Sequence, residues 1–276
     1  MYQRTPYLGF VLKWNAVDAL VTQTLLLCYE YILSQAVGAG FHGTFGVMIS
    51  VLYIAGSIVN FGFDTNLATF STDIFASKST FLRFICGAWL IHILWIAGVS
   101  WVLYTQYLDV IFTQLDYVPY AAWISIFFVE SIRKTAKHLT KYTGNMQLAA
   151  LSEISGILVY LTLSAGILLL FKPSVTALLY IQAVAASGQL CTLLAYLYNV
   201  WYGLPQRGGS FSLLRFHGHR FFVGLNELAG TIYTGNFLIP FLAHSRGVAF
   251  ASVFRLVSYT VRWVVLIVQQ IFATTG

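Results

Sequence analysis

Eight apolar runs divide this chain almost end to end, over residues 15–37, 44–63, 81–103, 119–138, 148–171, 175–198, 220–243 and 247–272. A helix needs ~20 predominantly apolar residues to cross the ~30 Å hydrocarbon core of a bilayer, and each run is long enough. None has the ~10-residue alternation of a membrane β-barrel strand. The gaps between runs are too short to form a soluble domain. The predicted fold class is therefore all-α, a polytopic membrane bundle of about eight transmembrane helices. Only 9% of the residues are charged, against ~25% in a soluble domain, and a surface so poor in charge suits lipid. Residues 65–79 predict a short interfacial helix. Residues 1–14 are polar and lead into a full-length run, which reads as a retained first helix and not a cleaved signal.

The net charge of +6 would suggest nucleic acid only if it gathered on one soluble face. Here the cations fall between runs, so no nucleic-acid partner is expected, and topology accounts for them. With the N-terminus in the cytoplasm, the inner segments hold Arg4, Lys13, Lys78, Arg83, Arg133, Lys134, Lys137, Lys141, Arg207, Arg215 and Arg220. The outer segments hold Lys172 and Arg246. That asymmetry follows the positive-inside rule. Trp14, Tyr117, Tyr120, Tyr198, Trp201 and Tyr202 lie at run ends, as in an aromatic belt.

A weak internal repeat pairs residue n with n+204: Gly43 with Gly247, Ala39 with Ala243, and Leu52 with Leu256. Runs one and two then match runs seven and eight, as in transporters built from parallel repeats. The expected organisation is a six-helix lobe over 1–205 and the first helical hairpin of an incomplete second lobe over 206–276.

Charged side chains inside the runs carry the functional signal. On insertion scales each costs ~2.5–3.5 kcal/mol at the bilayer centre, so each needs a partner or a wet cavity. Arg255, Tyr259, Arg262 and Gln269 share one face of run eight. Ser50, Tyr53, Ser57, Asn60 and Asp64 do so on run two, Gln23, Glu30 and Ser34 on run one above Asp18, and Glu227, Thr231 and Thr234 on run seven. A cavity between two lobes would account for all four stripes. Structural ion pairs, snorkelling and helix–helix hydrogen bonds are the alternatives. Distance from the last turn places Glu227 level with Arg262, and Glu30 level with Arg255, so both pairs are expected to form. Arg255 is near enough to the outer end to snorkel, whereas Arg262 is expected to lie deeper.

Other side chains read as structural. Glu130 precedes Arg133 and Lys134 by three and four residues, the spacing of a local helical ion pair, and Glu153 suits an interface. His92 reads as a core histidine, His217 and His219 as solvated loop residues, and Cys28, Cys86 and Cys191 as small core residues. Pro240 is expected to kink run seven. No Walker loop, zinc motif or catalytic triad is evident, so neither an enzyme nor a cofactor is expected.

The run Ile32-Leu-Ser-Gln-Ala-Val-Gly-Ala-Gly-Phe-His-Gly-Thr-Phe-Gly46, followed by Asn60-Phe-Gly-Phe-Asp-Thr-Asn66, resembles the first hairpin of Wzx-like polysaccharide flippases. These belong to the multidrug/oligosaccharidyl-lipid/polysaccharide exporter superfamily. Arg246-Gly-Val-Ala-Phe-Ala-Ser-Val-Phe-Arg255 resembles the turn that opens the family's second lobe. The resemblance implies two six-helix lobes, alternating access, and a central cavity for an oligosaccharide on undecaprenyl pyrophosphate in a bacterial cytoplasmic membrane. Arg255 and Arg262 fit the pyrophosphate ligands by position, with Tyr259, Asn60, Glu30 and Glu227 lining the cavity. The chain departs from the family in length, so it is expected to be C-terminally incomplete, working with a missing C-terminal half or another protomer. Two further functions stay open. One is a cation-coupled multidrug exporter of the same superfamily, using Asp18, Glu30 or Glu227 for coupling. The other is a non-transporting membrane interaction protein or truncated remnant.

Overall fold

The computed structural model describes residues 4–107, 119–206, 208–232 and 235–273. Tyr117, Arg207 and Thr234, and the side chains of Arg4, Thr231 and Gln269, lie outside the described residues. Among the described residues all regular structure is helical. α1 (Arg4–Asn60) is followed by α2 (Phe63–Ile74), α3 (Lys78–Arg83) and α4 (Leu90–Val102). The π-helical turn Phe84–Trp89 joins α3 to α4, and a second, Leu103–Tyr107, extends α4. Then come α5 (Tyr120–Tyr142), α6 (Met146–Leu170), α7 (Val175–Gly203), α8 (Leu213–Ile232), α9 (Gly235–Arg246) and α10 (Val248–Ala273).

α1 is a hairpin. Gly38 breaks it at φ 77°, ψ 164°, a backbone geometry that glycine adopts without a Cβ penalty. Twelve residues of straight helix would put Glu30 and His42 ~18 Å apart along the axis, yet Glu30 Oε2 lies 2.8 Å from His42 Nε2. The chain therefore turns back, giving a first leg before Gly38 and a second after it. α10 runs antiparallel to the first leg, where Trp263 Nε1 donates to Thr24 Oγ1 at 2.9 Å and Arg255 pairs with Glu30. It runs parallel to the second, with Val248 beside Gly43 and Arg255 beside Gly46. The turns paired by the 204-residue repeat thus meet face to face.

Among the described residues, five helical segments are long and apolar enough to cross a membrane: Lys13–Asn60, Lys78–Gln106, Met146–Leu170, Val175–Gly203 and Val248–Val265. The first contains both legs of the hairpin. The predicted count of eight is not reproduced as such. α5 carries Glu130, Arg133, Lys134 and Lys137, and the described parts of run seven are helical in α8, up to Ile232, and in α9, from Gly235, with Pro240 inside α9. The interfacial helix expected over 65–79 corresponds to α2.

Two buried clusters hold the bundle. One joins Leu33, Phe45, Met48 and Leu52 of α1 to Trp123 and Phe127 of α5, Leu178 of α7 and Ala251 of α10. Trp123 Nε1 also donates to the Met48 carbonyl at 2.9 Å. The other is aromatic, built from Phe63, Phe70, Phe84, Phe211 and Phe216. The outer surface is apolar, with Leu94, Trp95, Leu169, Phe222 and Val257 all exposed, as a lipid-facing surface must be. Cys28, Cys86 and Cys191 lie on that surface. This corrects their reading as core residues; an apolar run does not reveal which of its faces meets lipid.

Candidate functional site

At one end of the bundle α10 is locked to both legs of α1. Arg255 Nε donates to Glu30 Oε2 at 2.8 Å and its Nη2 donates to Oε1, a forked pair. Glu30 Oε2 also meets His42 Nε2, and His42 Nδ1 lies 2.7 Å from Ser252 Oγ. With the proton on Nε2, His42 donates to Glu30 and accepts from the Ser252 hydroxyl. Glu30, His42, Ser252 and Arg255 are 3%, 0%, 3% and 2% exposed, so bulk solvent does not reach the pair. The guanidinium lies between Phe45 and Tyr259, 5.6 and 5.4 Å from their ring centres. The expected Glu30–Arg255 pair is present. Arg255, expected to face an open cavity or snorkel, is the more deeply buried arginine of the stripe, and its charge is already neutralised.

The second expected pair is absent. Glu227 accepts from the Gly62 amide at 2.8 Å and from the Thr65 hydroxyl, and no ion pair joins it to Arg262. Distance from the last turn gives depth along a helix but not which neighbour a side chain meets, and Glu227 meets the α1–α2 turn. Arg262 is exposed, and it lines a groove of about 430 Å3 with Ile239 of α9 and Phe254, Val257, Ser258, Tyr259, Val261 and Val265 of α10. The groove therefore lies on the last hairpin, not between the first two legs and α10, where the lock closes the space.

Around Glu227, the C-terminal end of α1 is tied to α8. Arg220 donates to the carbonyls of Val59, Asn60 and Phe61 at 3.4, 3.0 and 3.2 Å, satisfying acceptors that a helix end leaves open. Asn60 Oδ1 accepts from the Asp64 amide at 3.1 Å, so Asn60 serves the α1–α2 turn. Asn66 Nδ2 donates to the Phe216 carbonyl, and its Oδ1 meets His219 Nδ1 at 2.5 Å. His219 is exposed, as expected, while also hydrogen-bonded, and His217 is half-buried; both lie on α8 and not in a loop. His92 is buried and stacked on Phe63 at 4.0 Å, a core histidine as expected. Asp64 is buried and bonded to Thr135 Oγ1 at 2.8 Å; burial pushes its carboxyl above the usual range. Arg220→Ala is expected to cost about 1.5–3 kcal/mol, the scale of hydrogen bonds to a charged group. Chemical denaturation in detergent measures this, and Arg220→Lys should recover part of the loss.

Toward the opposite end from the lock, Asp18 pairs with Lys137 at 2.9 Å and Lys141 at 3.3 Å. Glu153 pairs with Lys137 at 3.1 Å and with Arg133, which also holds Glu130. Three cations and three carboxylates therefore balance across α1, α5 and α6. Asp18 is not an isolated coupling acid, and the expected local Glu130–Arg133 pair is part of a larger network. Sequence reasoning missed His42 and Ser252. Ser252 is uncharged and His42 lies in a gap between runs, so the stripe pattern did not single them out.

Comparison with protein-family models, with curated proteins and with solved structures finds no match.

Proposed function

We propose that the protein is a non-enzymatic, cofactor-free membrane transporter that flips a lipid-linked oligosaccharide, of the undecaprenyl-pyrophosphate class, by alternating access. In this reading eight helices cross a bacterial cytoplasmic membrane with the N-terminus inside. Residues 1–205 form the first lobe and 206–276 the first hairpin of a second.

The observation that carries the reading is Arg262. It is a charge on a membrane-length helix, exposed in a groove whose other walls are apolar apart from Ser258 and Tyr259. It has no ion-pair partner among the described residues. A charge on a membrane-spanning helix needs a partner or a wet cavity, and guanidinium offers forked donors suited to phosphate. An amphiphile with an anionic head and an apolar body meets both demands. Arg255, expected as a substrate ligand, serves in this reading as the lock between the hairpins. The packed, repeat-related turns at Gly43 and Val248 also suit two hairpins that separate as units.

A second reading has a specific basis too: the same groove suits a helix of another protomer, or of a further segment of a longer chain, that brings a carboxylate to Arg262. Binding separates the two. Arg262→Ala is expected to weaken binding of a short-chain prenyl pyrophosphate about 10–100-fold, the loss of one charge-assisted hydrogen bond at about 1.5–3 kcal/mol. Native mass spectrometry with titrated lipid measures it, and Arg262→Lys should lie between. Unchanged lipid affinity together with loss of self-association would favour the helix-docking reading.

A further inference from the structure

Two cavities lie inside the bundle between the lock and the opposite ion-pair network. One, of about 80 Å3, reaches Glu130, Arg133 and Glu153. The other, of about 30 Å3, reaches Glu30 and Arg255. They share four lining residues, Leu26, Tyr53, Tyr160 and Gln182, so they are neighbouring parts of one interior space. Glu30 and Asp18 stand twelve residues apart on the first leg of α1, so the space and the network beyond it cover ~18 Å along the helix.

The lining is polar in a particular way. Gln189 is 9% exposed, and its Oε1 makes no hydrogen bond within the protein; neither does the buried Oε1 of Gln182. Both residues line the larger cavity. A buried amide oxygen without a partner is costly, and such groups are normally satisfied by ordered water. A water needs roughly 10–15 Å3 of such space and two to four polar partners, which both cavities offer. Gly156 belongs to the arrangement, since a Cβ there would overlap the Gln189 side chain. The lock end is sealed: His42 and Ser252 are buried, and a Cβ on Gly43 would overlap the Val248 backbone. At the other end the larger cavity stops at Glu153, and a chain of ion pairs continues from Glu153 to Lys137, Asp18 and Lys141, whose side chain is 20% exposed.

We infer that the first lobe holds a one-sided column of ordered water running from the Lys141 end of the bundle to the Glu30–Arg255 lock. The column has a mechanical role. Separating a buried ion pair in a dry core strands two charges, whereas water already at their side solvates them as they part. The lock can then open without waiting for bulk water to enter. The titratable and charged groups that face Glu30 are Tyr29, His42 and Tyr53 of α1, Tyr160 of α6, and Arg255 and Tyr259 of α10. The inference rests on the transport reading only for naming the Lys141 end cytoplasmic.

Silver-ion accessibility tests it in the full chain. Cys28, Cys86 and Cys191 are replaced by alanine, and single cysteines are introduced as Gln182→Cys and Gln189→Cys, with Ala186→Cys as a milder probe of the same cavity. Silver is applied to one side of sealed proteoliposomes, and unreacted thiols are counted with a maleimide after unfolding. Lys141→Cys and Lys172→Cys mark the two sides, and Leu178→Cys reports the dry core of the same helix. The expected result is block of positions 182, 186 and 189 at least about tenfold faster from the Lys141 side than from the Lys172 side, with position 178 unreactive. Unreactive cavity positions, or faster block from the Lys172 side, overturn the inference. If position 141 lies outside and the cavity positions follow it, the column stands and the cytoplasmic assignment fails.

Discussion

Arg255→Ala is expected to destabilise the protein by about 3–5 kcal/mol, the range for removing one partner of a buried ion pair. The loss is large because a buried carboxylate is stranded. Glu30, 3% exposed, keeps its carboxylate without its forked donor. Among the described residues, the fully buried His42 is then the side chain still hydrogen-bonded to it. Glu30→Ala should be comparably damaging, because it strands the guanidinium in a cavity of about 30 Å3. Combining the two should cost clearly less than their separate losses added together, since neither charge is then left alone. Denaturant titration in detergent, followed by tryptophan fluorescence, measures all three variants. An additive double mutant would contradict the lock. Arg262→Ala is the contrast: its side chain is exposed and without an ion-pair partner among the described residues, so its stability should stay within about 0.5 kcal/mol of the parent.

Gly43→Ala gives the second large effect, and its comparison with Gly56→Ala gives opposite signs. A Cβ at Gly43 would overlap the Val248 carbonyl, and a backbone atom cannot rotate away as a side chain can. α10 must move off the hairpin, which also lengthens the His42–Ser252 and Arg255–Glu30 bonds. The expected cost is at least the 1–3 kcal/mol typical of overpacking a tight site. At Gly56, on the same leg, an added Cβ meets nothing within 4 Å. There the higher helix propensity of alanine should help by up to about 1 kcal/mol. Paired cysteines at Ala39 and Ala243 would report the separation of the two turns independently of stability.

Much of this was legible from residues alone. Hydrophobic runs locate helices, and depth counted from a turn located the Glu30–Arg255 pair, because α10 and the first leg are continuous antiparallel helices. The same count failed for Glu227, because equal depth does not fix the facing neighbour, and the glutamate instead meets the Gly62 amide. Periodicity places residues on one face, but it does not say which neighbour meets that face. Arg255 and Arg262 therefore looked equivalent, although one is sealed beneath α1 and the other opens onto a groove. His42 and Ser252 escaped notice for a related reason: their importance lies in a contact across 210 residues, and no local pattern encodes it. Cys28, Cys86 and Cys191 were placed inward because in water an apolar residue belongs in the core. In lipid the outer surface is equally apolar, and that inference loses its force.

Translocation in a defined system tests the central proposal most directly. The protein is reconstituted in liposomes carrying a fluorescent short-chain prenyl-pyrophosphate oligosaccharide, and transfer to the far leaflet is followed by quenching from outside. The expected result is protein-dependent transfer that falls at least about tenfold in Arg262→Ala, recovers partly in Arg262→Lys, and leaves the fold intact in both. Transfer at the parental rate in Arg262→Ala, or none above protein-free liposomes for the parent, would contradict it.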